Sequence, residues 1–262
     1  MRAGSIASVV VAVLAVFTVT AAAQGTEMTW TVDGVERVAL VYAPAALSAK
    51  PLPLVFVFHG HGGTMRTAFQ GLHIHTEWPE AIVVYPQGLR TVSAVDPQGV
   101  RFGWQTHGDQ NGNRDLKFFD AMLAGLRKKF AIDDQRIYST GFSNGAVFSY
   151  LLWAERGKTL AAFGICAGRV PATAHLTEPR AVIVIAGRND LVLPFSYQEQ
   201  AIEDARHADS ATGPGQECGP GCTLYSSTSD TPVVTRIHSG GHVFPPWAAS
   251  AIVEFFQAHK HP

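Results

Sequence analysis

The stretch Gly141-Phe142-Ser143-Asn144-Gly145 holds a serine with glycines two residues to either side. It follows an apolar, strand-like run, Arg136-Ile-Tyr-Ser-Thr140, and precedes a helical segment. A serine on such a sharp strand-to-helix turn projects its hydroxyl above the sheet, and the glycines tolerate the crowded backbone. A serine hydroxyl attacks a carbonyl well only when a base removes its proton. Of the eleven histidines, His242 is best placed for that: it ends Ser239-Gly240-Gly241-His242, just after the run Pro232 to His238 and before the last helical segment. A carboxylate is then needed to hold the imidazole tautomer, and it should lie between serine and histidine in chain order. Asp190 closes Ala181-Val-Ile-Val-Ile-Ala-Gly-Arg-Asn-Asp190, just past the C-terminal end of a strand-like run. Glu199, Glu203, Asp204 and Asp209 compete, but none directly follows a strand, and each is assigned to a surface loop or helix.

A developing oxyanion needs donors. The amide of Asn144, at the helix start, is one candidate. The Gly-rich turn His59-Gly60-His61-Gly62-Gly63 aims the amide of His61 as the second. The same His59-x-His61 pair, with His73-x-His75 nearby, is also a conceivable zinc site, so a metal-dependent hydrolase is an alternative. That reading leaves Ser143, Asp190 and His242 unexplained. Trp104, Phe142 and Phe244 lie near the same loops and are candidate substrate-contacting aromatics. Trp104, in the loop before a helix, is the best candidate for a platform. Asp115 is read as the cap of that helix rather than a substrate ligand.

These residues require a scaffold that brings strand ends together. Short apolar runs bounded by Gly and Pro recur at Met28 to Val32, Val35 to Tyr42, Pro53 to Phe58, Ala81 to Tyr85, Arg136 to Thr140, Ala181 to Ala186 and Pro232 to His238. Such runs read as strands, those within the sheet buried on both faces. Helical spacing marks Asp115 to Phe130, Asn144 to Ala154 and Trp247 to Ala258. Alternation of the two predicts an α/β fold, with a mainly parallel sheet carrying helices on both faces. Arg188 to Asp230 is irregular and reads as a loop-rich excursion with at most one helix. There is no repeat and no linker, so residues 24–262 are expected to form one domain.

The 262 residues are 47% hydrophobic and 16% charged, enough for a substantial core, and the formal net charge is −1. That balance argues against nucleic acid or an anionic membrane as partner. Arg2, the apolar run Ile6 to Val19 and Ala21-Ala22-Ala23 together read as a signal peptide over residues 1–23. A secreted or periplasmic protein starting near Gln24, with no membrane attachment, is the expectation. Export makes a disulfide plausible between Cys218 and Cys222, which bracket Gly-Pro-Gly. Cys166 sits in an apolar run and reads as a packing residue.

The chain also resembles the secreted esterases grouped with polyhydroxybutyrate depolymerases and feruloyl esterases. The resemblance rests on Pro53 to Gly63, Val83 to Pro86, Asp133 to Ala146, Gly187 to Asp190 and Gly240 to His242, in that order. It implies an α/β-hydrolase fold and a serine carboxylic-ester hydrolase that forms an acyl-enzyme. It further implies Ser143, Asp190 and His242 as triad, amides of His61 and Asn144 as oxyanion donors, an ester substrate and no cofactor. The chain departs from the family at His61, where many relatives carry cysteine. It departs again at Val243-Phe-Pro-Pro-Trp247, in place of the more usual Thr-Trp-Pro-Gly. Both changes bear on substrate preference. No lipidation cysteine follows the signal segment, so no lipoprotein anchor is expected. A non-catalytic secreted binding protein on the same scaffold is the alternative of a different class. Neither the acyl group, the alcohol nor the oligomeric state is specified.

Overall fold

The computed structural model describes residue 1, residues 25–45 and residues 50–261. The expected signal segment lies outside the described residues except for Met1. The chain opens with a hairpin of β1 (Thr26–Val32) and β2 (Val35–Tyr42). Then come β3 (Leu52–Phe58), α1 (Met65–Leu72), α2 (Ile74–Glu77) and β4 (Ile82–Pro86). A two-residue pair, β5 (Leu89–Arg90) and β6 (Phe102–Gly103), stands apart from the main sheet. α3 (Arg114–Lys129), β7 (Ile132–Phe142), α4 (Asn144–Arg156), β8 (Ala162–Cys166) and β9 (Ala181–Gly187) form the centre. α5 (Phe195–Ala208), β10 (Gln216–Gly219), β11 (Cys222–Tyr225), β12 (Val233–His238) and α6 (Ala248–Ala258) complete it.

Among the described residues, ten strands form one sheet in the order β1-β2-β4-β3-β7-β8-β9-β12-β11-β10. The six central strands, β4 to β12, pair in parallel, and both margins are antiparallel. Parallel pairing needs crossovers, and these place helices on both faces. That is why β3 is buried along its whole length. Its Leu54, Phe56 and Phe58 join one core with Leu116, Phe119 and Leu123 of α3 and Phe148 and Leu152 of α4. Its Val55 and Val57 join the other core, with Met65 and Ala68 of α1 and Ile252 and Phe256 of α6.

The excursion between Arg188 and Asp230 is more regular than its sequence suggests. It holds the 14-residue α5 and the β10–β11 hairpin, which extends the sheet beyond β12. Periodicity is weak there because α5 buries only Gln198, Ala201, Ile202 and Ala205, and most of the hairpin is exposed or half-buried. Cys218 and Cys222 form a disulfide across the hairpin turn.

Candidate active site

The nucleophile candidate stands where β7 turns into α4. Ser143 has φ 56° and ψ −120°, a strained backbone for a residue with a Cβ. The turn persists because its surroundings over-determine it. The Ser143 amide donates to the Cys166 carbonyl at 3.0 Å, and the Ser143 carbonyl accepts from Val147 at 3.0 Å. Gly145 allows the helix to pass close to β3: a Cβ there would sit 2.1 Å from the Phe58 carbonyl oxygen.

Base and acid come from adjacent parallel strands, β12 and β9, whose loops are fastened to each other. Arg188 donates to the His238 carbonyl at 2.9 Å, Asn189 to the Gly240 carbonyl at 3.1 Å, and the Asn189 side chain to the Ser239 carbonyl at 2.6 Å. This brings His242 Nδ1 to 2.7 Å from Asp190 Oδ2, and His242 Nε2 to 2.8 Å from Ser143 Oγ. Asp190 is 4% exposed. Its Oδ1 accepts the amides of Val192 at 2.9 Å and Leu193 at 2.8 Å, and its Oδ2 also accepts Gln198 Nε2 at 3.0 Å. A carboxylate surrounded by donors is an acceptor, so Nδ1 carries the imidazole proton and the Nε2 lone pair faces the serine hydroxyl. The array can therefore take a proton from Ser143.

The loop after β3 flanks this array. Among the described residues, its Gly62 and Gly63 amides are engaged with the carbonyls of Phe102 and Gly60. The amides of His61 and Asn144 are not among the backbone donors used in turns and loops. His59 is buried, which holds its imidazole down to about 4, and it is therefore neutral near pH 7. Its Nδ1 meets the Gly60 carbonyl at 2.8 Å and its Nε2 accepts the Gly88 amide at 3.0 Å. His61 Nε2 lies 3.1 Å from Asp96 Oδ2, and His75 Nδ1 lies 2.8 Å from the Tyr85 hydroxyl. These histidines point at separate partners, and no group of three or more metal-ligating side chains converges among the described residues. The donor set does not fit the metal-dependent alternative.

The platform reading of Trp104 is corrected. Its side chain is 0% exposed, wedged edge-on against Phe58 and stacked on Phe148. Its indole N–H donates to the His59 carbonyl at 2.9 Å, so it supports the loop from beneath. Its backbone N–H and C=O pair with the side-chain amide of Asn144. Asp115 is also reassigned. It is buried and ion-paired to Arg37 at 2.8 Å, it accepts the Gln105 amide at 2.9 Å, and the cap position belongs to Asn113.

Phe142 and Phe244 do face open space. Phe142 lies 4.9 Å from the His242 ring and 6.4 Å from that of Phe244, centroid to centroid. They line a cavity of about 300 Å³ with His61, Ala68, Gly71 and Leu72. Sequence reasoning missed Gln198, Asp96 and α1, which supplies one wall of the cavity. No local pattern marks Gln198 or Asp96, because each acts through a contact across the fold, whereas α1 carries one in the capping box of Thr64 and Thr67 and the buried Met65, Ala68 and Leu72 at helical spacing. Asp209, read as a surface residue, is 0% exposed, and its Oδ1 accepts the Arg180 amide at 2.6 Å.

No family model matches the chain. Among curated proteins it is 27% identical over 204 residues to a bifunctional acetylxylan esterase/xylanase of Neocallimastix patriciarum, covering 74% of this chain and 28% of that protein. It is 32% identical over 146 residues to a probable feruloyl esterase C of Aspergillus clavatus, covering 55% of this chain and 50% of that protein. The match to the corresponding Aspergillus terreus protein is 28% over 225 residues, covering 80% and 79%. The chain thus spans half or less of the length of the first two of these relatives. Among solved structures, an acetyl xylan esterase from Aspergillus awamori superposes with TM-score 0.70 at 15% identity, over 89% of this chain and 99% of that one. A ferulic acid esterase superposes with TM-score 0.62 at 14% identity, over 89% and 97%. The fold is that of the α/β-hydrolases.

Proposed function

We propose that this chain, with its α/β-hydrolase fold and its likeness to feruloyl and acetylxylan esterases, is a serine carboxylic-ester hydrolase. The observation that carries the reading is the unbroken array Asp190–His242–Ser143, with contacts of 2.7 and 2.8 Å. In this scheme Ser143 Oγ bonds to the ester carbonyl carbon as its proton passes to His242 Nε2. The amides of His61 and Asn144 receive the oxyanion. The tetrahedral adduct collapses, the carbon–oxygen bond to the alcohol breaks, and His242 returns the proton to the leaving oxygen. Water then adds to the acyl-enzyme by the same proton route and releases the acid and Ser143. The protein's own residues supply every proton transfer in the scheme.

The acyl group is assigned to the cavity beside Phe142 and Phe244. Its aromatic and aliphatic lining suits an uncharged acyl chain or ring larger than acetyl. Leu191, Val192 and Val243, on the loops carrying Asp190 and His242, are exposed apolar side chains. A feruloyl-type ester of a sugar fits both this cavity and the names of the relatives. Export is part of the same reading and is supported by the sequence of residues 1–23; among the described residues no helix is long and apolar enough to cross a membrane.

The test is a panel of p-nitrophenyl acyl esters, methyl ferulate, acetylated sugars and hydroxybutyrate oligomers, with and without EDTA. Turnover that survives EDTA and stops when a phosphonate labels Ser143 is the expected result. Zinc-restorable loss in EDTA, or no turnover and no labelling at all, would overturn it in favour of the metal or the non-catalytic reading.

A further inference from the structure

Asp190 Oδ2 is shared. It accepts His242 Nδ1 at 2.7 Å and Gln198 Nε2 at 3.0 Å. Gln198 lies on α5 and is 0% exposed. Its Nε2 also donates to the Leu193 carbonyl at 2.7 Å, while the Leu193 amide donates to Asp190 Oδ1 at 2.8 Å. Asp190, Leu193 and Gln198 thus close a ring of three hydrogen bonds around the carboxylate. The ring holds both carboxylate oxygens, and so sets the plane from which Oδ2 meets the imidazole.

The orientation of the Gln198 amide follows from its neighbours. Turned over, it would set Oε1 against two acceptors, Asp190 Oδ2 and the Leu193 carbonyl. In the orientation present, both N–H groups are satisfied, and Oε1 is left buried without a partner. A buried polar atom without a partner is destabilising, so the amide stands here for what its N–H groups hold, the Asp190 carboxylate and the Leu193 carbonyl beside it.

We propose that Gln198 is a positioning residue that locks the carboxylate of Asp190 onto His242 and sets how strongly that carboxylate draws the imidazole proton. The inference rests on the serine hydrolase reading for its rate effects, but not for its electrostatic ones. Each donor on Asp190 takes up part of the carboxylate's charge, so removing one strengthens its pull on the imidazole proton. The other titratable groups that feel Asp190 are His238 on β12 and Cys166 on β8, and both are unchanged in the variants below.

Two variants test it, Gln198→Met, which has the length without the donors, and Gln198→Glu, which is isosteric. Gln198→Met is expected to lose about tenfold to a hundredfold in kcat, with KM within about twofold, compared at matched stability. It is also expected to move the acid limb of the kcat profile to higher pH, because a carboxylate with one donor fewer favours the imidazolium. NMR titration of the His242 Cε1–H should move the same way, and it needs no turnover. In Gln198→Glu two buried carboxyl groups face each other and hold one proton between them, so the side chain still donates to Asp190, and kcat is expected to return to within about tenfold of wild type. Wild-type kcat together with an unmoved His242 titration in the Met variant would overturn the proposal. If the Met variant does not fold, the Glu variant decides, and a loss of more than about a hundredfold there overturns it. Should wild type prove inactive and unlabelled by phosphonate, the hydrolase reading fails, while the NMR shift still reports on Gln198.

Discussion

The side-chain amide of Asn144 lies against the peptide group of Trp104, accepting its N–H at 2.7 Å and donating to its C=O at 3.1 Å. The residue after the nucleophile candidate is thereby tied to a buried indole that itself supports the His59 carbonyl at 2.9 Å. The link thus joins Asn144 to the loop that carries His61, the two proposed oxyanion donors. Asn144→Ala should leave the Trp104 N–H unpaired, lowering stability by about 1–3 kcal/mol. It should reduce kcat about tenfold to a hundredfold with little change in KM, by loosening the amide. Steady-state kinetics beside a thermal melt check it; unchanged kcat at lowered stability would make the link purely structural.

Asp190→Asn should preserve the fold and reverse the hydrogen-bond logic at His242 Nδ1, lowering kcat by about three to four orders of magnitude. Glu199→Gln and Asp204→Asn should stay within about threefold of wild type, because neither approaches the array. The kcat values compared at matched stability are decisive. If Asp190→Asn stays within about tenfold of wild type, the acid is misassigned.

Gly71 offers a way to shorten the cavity proposed for the acyl group. It lies in α1, it lines the cavity, and a Cβ there meets nothing within 4 Å. Gly71→Leu should fold at least as well as wild type, since leucine is the better helix former by about 0.5–1 kcal/mol. It should depress kcat/KM for methyl ferulate and long p-nitrophenyl esters by about tenfold or more while sparing p-nitrophenyl acetate. Equal losses on all substrates would place the acyl group elsewhere.

Stability should depend on pH through Asp209. Burial lifts its carboxyl from 3.8 to about 8. Between these values the folded state holds a proton that the unfolded state has released, so this residue's contribution falls as pH rises from about 4 to about 8 and is flat beyond. Asp209→Asn removes that dependence. The difference in melting temperature, variant minus wild type, should increase from pH 5 to pH 8, and a constant difference across that range would contradict the assignment.

Much of this molecule is legible along the chain because the governing interactions are local. Apolar runs closed by Gly and Pro mark the strands of the large sheet other than β8, β10 and β11, and glycines around Ser143 mark the turn that carries it. The order Ser143, Asp190, His242 follows from which strands end where. Contacts between elements decide the rest. Ser143 and His242 are 99 residues apart and meet because β7 and β12, with β8 and β9 between them, end on the same edge of one sheet. Trp104 reads as an exposed platform in a Gly-rich loop, yet packing against Phe58 and Phe148 buries it. Asp209 reads as surface because it is charged, yet it lies inside, against the start of β9. Gln198 carries no signal at all: its amide meets Asp190 only once α5 docks. Burial, and the identity of a polar partner, are properties of the closed fold, since both depend on surfaces that residues distant in sequence present to one another.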